Sequence, residues 1–310
     1  MERTTELYSK PPKELTQEME IAPLKQNLYD WITQQWVILF GKKIIPNENK
    51  WLLGPFGKTN GIGLKFIKEL AKEEELIIDK KQVNKGLLHS IKQLNLDEKE
   101  LNKLSKNVID FYENTSNYDF DLKVKWNPLF KVFGILLKIL FSNRIEQLNI
   151  PMSNNKESTA LKSEIIHLVN EKSKEVKRTI WLRTFKKSEQ VVYSGIYETC
   201  TIPNGQNCIK AIFPLPNGSA TVILNPTVTE KGELILNSSG RKIGDSGFYF
   251  LLKDSNGNLW TKFIRSFKDK LAVSSENGKI TAIQTLTLWN LRVLQFKYNI
   301  KKTTYNKELC

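Results

Sequence analysis

Between positions 159 and 300 the chain is an almost unbroken succession of short β-forming runs separated by polar turns. Runs such as 176–185, 191–201 and 279–289 are rich in Val, Ile, Thr, Tyr and Trp, which fit a pleated surface. The connections hold Asn217-Gly218, Asn256-Gly257 and Asn277-Gly278, and Asn-Gly pairs make the hairpin turns that match strand twist. About ten strands, each joined to the next by a short loop, predict an up-and-down antiparallel sheet. A sheet of that width closes into a barrel or curls into a cup that can enclose a cavity.

Ahead of this run, residues 118–126 alternate Tyr118, Phe120, Leu122, Val124 and Trp126 with charged residues, the pattern of a half-buried strand. Asn127-Pro128 then changes the period, with an N-cap residue followed by a proline suited to the first helical position. The helix that follows, at 128–142, is apolar almost all round: Phe130, Phe133, Leu136, Leu137 and Leu140 leave only a stripe of Lys131, Gly134 and Lys138. It is too short to span a bilayer, so it lies either across the sheet as a cover or flat in a membrane surface. Further upstream, helical spacing predicts helices at 24–40, 64–76, 85–94 and 98–112. The expected fold class is therefore α+β, a helical N-terminal region packed on a large antiparallel up-and-down β-barrel or cupped sheet with one apolar covering helix. The expected boundaries are a flexible lead at 1–22, a helical region at 23–116 and the barrel domain at 117–310.

The formal charge of +14 is unevenly placed: +1 over residues 1–116, +2 over 117–155 and +11 over 156–310. A basic sheet suits nucleic acid, an anionic membrane or an acidic ligand. Many of these lysines alternate with apolar residues along strands, as a solvated outer face requires, so no nucleic-acid partner is expected. The cysteines Cys200, Cys208 and Cys310 form neither a disulfide framework nor zinc spacing and are expected to be free thiols. The polar start predicts no secretory signal, which places the chain in the cytoplasm or at the periphery of a membrane.

The motifs of common catalysis are missing. Gly57-Lys58-Thr59 lacks the first glycine of a phosphate loop, because position 52 is Leu52. Two histidines, His89 and His167, leave little for triads or histidine-rich metal sites, and neither a cofactor nor a metal is expected. The densest set of unusual residues runs from Ser238 to Tyr249, where glycines accompany Arg241 and Asp245. That loop could present amides and Arg241 to an anion, or serve as a crossover in which Arg241 and Asp245 pair with each other.

Asp110-Phe111-Tyr112-Glu113-Asn114, Trp126-Asn127-Pro128-Leu129-Phe130, Phe213-Pro214-Leu215-Pro216-Asn217-Gly218 and Gly244-Asp245-Ser246-Gly247-Phe248-Tyr249-Phe250 together resemble a family of uncharacterised conserved bacterial proteins. The resemblance covers most of residues 50–300 and implies no activity, cofactor or catalytic residue. Lipocalin-like barrels are an analogy at the level of fold alone. The expected function is non-enzymatic binding of an apolar or amphipathic, lipid-like ligand between sheet and helix. Its site residues would be Phe133, Leu137, Tyr197, Arg241, Asp245, Tyr249 and Arg265, with Arg183, Arg241 or Arg265 at the rim for an acidic head group. The alternatives are an enzyme acting on a lipidic substrate and a peripheral protein of anionic membranes.

Overall fold

The structure is a computed structural model that describes residues 28–57, 64–79, 84–131 and 159–303. Its elements run α1 (Leu28–Phe40), β1 (Lys42–Ile44), α2 (Leu64–Glu73), β2 (Leu76–Ile78), α3 (Glu98–Lys103), α4 (Lys106–Glu113) and β3 (Tyr118–Trp126). Then follow β4 (Thr159–Asn170), β5 (Val176–Phe185), β6 (Val191–Thr201), β7 (Asn207–Leu215), β8 (Gly218–Val228) and β9 (Leu234–Asn237). The chain continues with β10 (Gly247–Lys253), β11 (Leu259–Phe263), β12 (Phe267–Glu276), β13 (Lys279–Leu288) and β14 (Leu291–Lys302).

Ten strands close an antiparallel barrel in the order β3-β4-β5-β6-β7-β8-β9-β12-β13-β14, with β14 returning to β3. Neighbours in the wall are neighbours in sequence except at β9–β12. There the chain leaves the wall to form the hairpin β10–β11, which extends the sheet outward from β8. The split happens because β8 is one long strand with two different partners along its length. Residues Gly218 to Ile223 pair with β10 and Asn225 to Val228 pair with β9. The meander expectation therefore holds for the wall and fails for this hairpin.

The N-terminal region departs further from local expectation. Helix α1 stops at Gly41 as expected, and the stop is steric. A Cβ there would lie 2.2 Å from the Val37 carbonyl oxygen and 2.6 Å from that of Thr261, where β1 pairs with β11. Residues 85–94 form no α-helix: an irregular stretch leads into a single 3-10 turn, Ile91–Leu94, with a reciprocal cap between Ser90 and Gln93. The expected helix at 98–112 is two helices, parted at Leu104 and Ser105, where the Ser105 amide donates to the Gly232 carbonyl in the β8–β9 loop (3.2 Å). After β3 the Asn127 carboxamide accepts from the Leu129 amide at 3.1 Å, capping the helical residues 128–131. The remainder of the expected covering helix, with Phe133 and Leu137, lies outside the described residues.

Two apolar layers hold the fold. Inside the barrel, Phe120, Leu122, Leu161, Trp181, Tyr193 and Phe296 form one core with Leu87, Leu88, Phe111 and Tyr112, which plug one end. Outside it, the apolar stripe of α2, Phe66, Ile67, Leu70 and Ala71, packs on Leu168, Ile180, Ile196 and Ile212 of β4 to β7. Each of the larger α2 side chains contributes about 1.5–3 kcal/mol by leaving water, so docking this helix is worth several kcal/mol.

A charged cavity inside the barrel

The plug does not fill the barrel. An internal cavity of about 80 Å³ remains among Phe120, Trp181, Arg183, Tyr193, Tyr197, Phe213, Asp269, Gln284 and Tyr298, floored by Leu87, Leu88, Phe111 and Tyr112. Its shape follows from residue sizes across the strands. Gly195, between Tyr193 and Tyr197 on β6, stands opposite Trp181; a Cβ there would lie 3.0 Å from the Phe213 ring and 3.2 Å from that of Tyr197. Ala211 stands opposite Tyr197, and Ala282 opposite Tyr298. Gly195 gives its space to the rings of Phe213 and Tyr197, whereas Ala211 and Ala282 border the cavity where larger side chains would fill it.

A guanidinium crosses this interior. Arg183 is only 6% exposed, and its Cζ lies 4.1 Å from the ring centre of Trp181 and 4.7 Å from that of Tyr193. Stacking on aromatic faces offsets part of the cost of burying the charge. Its Nη1 and Nη2 donate to the hydroxyls of Tyr298 and Tyr197 at 3.5 and 3.4 Å, the long limit of a hydrogen bond. Its Nε has no partner among the described residues. On β12, Asp269 is also 6% exposed; its Oδ2 accepts from Gln284 Nε2 at 2.7 Å, while Oδ1 has no partner among the described residues. Burial pushes the Asp269 carboxyl up to about 7, although the Gln284 hydrogen bond acts the other way. Burial likewise raises the phenols of Tyr193 and Tyr197, and takes Tyr298 to about 12, so all three stay neutral hydrogen-bonding groups at ordinary pH. The cavity thus combines a fixed cation, a carboxyl that exchanges its proton near neutrality and three neutral hydroxyls.

The residues expected at the site fall in three places. Tyr197 lines the cavity. Arg183, expected at the rim, is inside. Tyr249 is fully buried in a separate cluster with Leu52, Ile202, Cys208 and Ile223. Its hydroxyl donates to the Asp245 carbonyl at 2.5 Å and accepts from the Gly244 amide at 3.2 Å. The Asp245 carboxylate accepts from the amides of Arg241 and Lys242 at 2.8 and 3.2 Å, which ties the loop to itself and leaves the Arg241 side chain exposed. Arg265 is exposed in the turn between β11 and β12. His167 on β4 is half-buried: its Nε2 lies 3.1 Å from the Gly86 carbonyl oxygen, and burial lowers its pKa. Cys200 and Cys208 are free thiols directly opposite each other on β6 and β7, and burial raises their pKa to about 11 and about 12. Sequence reasoning missed Asp269 altogether. The available signal was phase, since Asp269 shares the inward register of Leu271 and Val273, and Arg183 that of Trp181.

A separate ionic network stands on the covered side of the wall. Arg178 Nε and Nη2 donate to the two Glu74 oxygens at 2.9 Å each, and Nη1 donates to Glu198. Glu198 also meets Lys210 Nζ at 3.1 Å, and that ammonium donates to the Leu53 carbonyl at 2.6 Å. Although Glu198 borders the cavity, its carboxylate is engaged by these two cations, which clasp α2 and the 51–57 loop to β5, β6 and β7.

Fold and cavity together define a ten-stranded antiparallel barrel, plugged by its own N-terminal region, that encloses an aromatic and charged interior. No protein-family model matches the sequence, and no solved structure matches it. Over 217 residues the chain is 28% identical to "Uncharacterized membrane protein YndJ" of Bacillus subtilis (strain 168), a match that takes in 69% of this chain and 38% of that protein. The chain therefore spans well under half the length of that curated relative. A bacterial relative whose name gives no function agrees with the resemblance read from the sequence. No helix among the described residues is long and apolar enough to cross a membrane. On β3 and β14 the outer face of the wall carries the exposed Lys123, Lys125 and Lys297.

Proposed function

We propose that the barrel is a binding module that holds a small amphipathic molecule in its interior without transforming it. The observation that carries this reading is the buried guanidinium of Arg183 bordering the cavity inside the barrel. An unpaired charge in a core is costly, and an apolar side chain of similar volume would stabilise the barrel better, so its presence points to an occupant. Aromatic walls supply contact for the apolar part of that molecule, and Arg183 with Asp269 receive the polar part. The size of the space narrows the lipid-like expectation. Sites for drug-sized ligands run to about 300–1,000 Å³, against about 80 Å³ here, so a short molecule fits and a long acyl chain would have to displace side chains. Native mass spectrometry of the purified chain tests this directly: a small co-purified molecule is expected, and it should be lost in Ala211→Leu, which fills the cavity. Equal occupancy in wild type and Ala211→Leu would place binding elsewhere and remove the reading.

A peripheral position at a membrane surface is the second reading. It is supported by exposed Leu28, Ile32, Leu39 and Phe40 on α1, by the basic outer wall and by the word membrane in the relative's name. Sedimentation with anionic and neutral vesicles tests it; absence of binding to either removes it.

A further inference from the structure

If the cavity is a binding site, its unpartnered polar atoms specify the chemistry of what enters. Arg183 and Asp269 are each more than nine-tenths buried and border the same cavity. Arg183 Nε–H is a donor without an acceptor, and Asp269 Oδ1 is an acceptor without a donor, among the described residues. The two groups do not satisfy each other; Oδ2 is engaged by Gln284 and the Nη atoms reach only the hydroxyls of Tyr197 and Tyr298. A partner that is anionic at one end and donates a hydrogen bond at the other completes both.

The geometry points to a small carboxylic acid bearing an amino or hydroxyl group as the occupant of the barrel interior, its carboxylate against the Arg183 guanidinium and its donor against the Asp269 carboxyl. This rests on the reading of the barrel as a binding module and names the ligand class. Three considerations converge on it. A carboxylate neutralises the fixed charge of Arg183, which no acid of the described residues does, and charge-assisted hydrogen bonds are the strong ones. A donor on the ligand engages the oxygen that is otherwise left bare inside the core. The volume of about 80 Å³ admits roughly five to eight water-sized atoms, the size of a two- to four-carbon amino or hydroxy acid. Its carbon skeleton would lie against Trp181, Tyr193 and Phe213.

Isothermal titration of the full chain with alanine, lactate, propionate, isopropylamine and decanol tests the assignment. Alanine or lactate should bind about tenfold or more tightly than propionate, which lacks the donor, and than isopropylamine, which lacks the carboxylate, the factor expected for one charge-assisted hydrogen bond. Arg183→Lys should weaken the favoured acid by a similar factor, and Tyr197→Phe, which keeps the ring, by less. Propionate binding as tightly as lactate and alanine overturns the role of Asp269. Decanol binding tightly and unaffected by Arg183→Lys overturns the acid while leaving the barrel a binding module. Failure of every probe to bind the wild-type chain overturns both.

Discussion

The two arcs of the barrel wall obey different rules. Along β5 to β8 both faces are buried: Trp181, Tyr193, Ala211 and Val222 look inward, while Ile180, Ile196, Ile212 and Ile223 are shut beneath α2 and the loop at 51–57. Along β12 to β14 and β3 only the inner phase is buried, as in Phe120, Leu122, Val124 and Trp126, and the outer phase carries Asp119, Asp121, Lys123 and Lys125. The covered arc therefore depends on the N-terminal region for half of its burial. The open arc meets that region only on its inner face, where Phe111 packs on Tyr118 and Phe120.

The largest effect should come from charging the outer phase of the covered arc. Ile212 is fully buried beneath α2, and Ile212→Asp places an unpaired carboxylate there, at a cost of about 4 kcal/mol or more. Urea denaturation should find the variant unfolded or barely folded at 25 °C. A loss below about 1 kcal/mol would mean that α2 is not docked, and the distinction between the arcs would fall.

The second effect is a pH dependence that belongs to the interior shared by both arcs. Burial holds the Asp269 carboxyl at about 7 in the folded chain, against 3.8 for the free group. Between these values the unfolded chain gives up the proton that the folded chain keeps, so the contribution of Asp269 to stability falls as pH rises from about 4 to about 7 and is level above that. The change is as much as about 4 kcal/mol over the window. The groups around it do not titrate there: Arg183 stays charged and Tyr193, Tyr197 and Tyr298 stay neutral. Asp269→Asn should flatten this slope relative to wild type in melting curves at pH 4.5, 6 and 7.5. Parallel curves for the two proteins would show that the carboxyl is not buried as described.

How much of this was legible follows the same division. Strands β3, β5 and β6 have the bounds that alternation and turn residues give, because local pattern and burial agree there. Of the Asn-Gly pairs, Asn277-Gly278 has the two positive φ values of a tight hairpin turn, 50° and 77°, while Asn217-Gly218 and Asn256-Gly257 have one each. What the sequence hid is set by distant contacts. Gly86 is held against the carbonyls of Tyr112 and Glu113, where a Cβ would come within 2.5 Å, so residues near it cannot wind into the helix that their spacing suggests. The break at Ser105 exists because of Gly232, and the exit of the β10–β11 hairpin exists because β8 is shared between two partners. Cover on the outer face was equally invisible: a run such as Ile180-Trp181-Leu182 reports burial on both sides and does not say by what. The cavity was half legible. An arginine and an aspartate in the inward phase of apolar strands are visible in the sequence, but their meeting in one space depends on closure of the barrel.

The smaller effects separate the clasp from the surface. Arg178 bridges Glu74, the residue after α2, and Glu198 of β6 while keeping about a quarter of its side chain exposed. With solvent screening discounted, Arg178→Gln should cost about 1 kcal/mol, and it should act by loosening α2. Hydrogen exchange in α2 should therefore rise more than in β13 or β14, and a uniform rise would show that the clasp is global.

The outer phase of the open arc supplies the smallest effect and the strictest control. Lys125 occupies on β3 an outward position like that of Ile212 on β7, with the neighbouring Val124 and Trp126 turned to the core. Lys125→Asp makes a larger charge change than Ile212→Asp, yet it takes place in water, where single surface substitutions stay within about 0.5 kcal/mol. Urea midpoints for the two variants, measured side by side, should differ by nearly the whole stability of the fold. A loss at Lys125 approaching that at Ile212 would mean that something covers the open arc as well. The barrel would then have two dependent arcs in place of one.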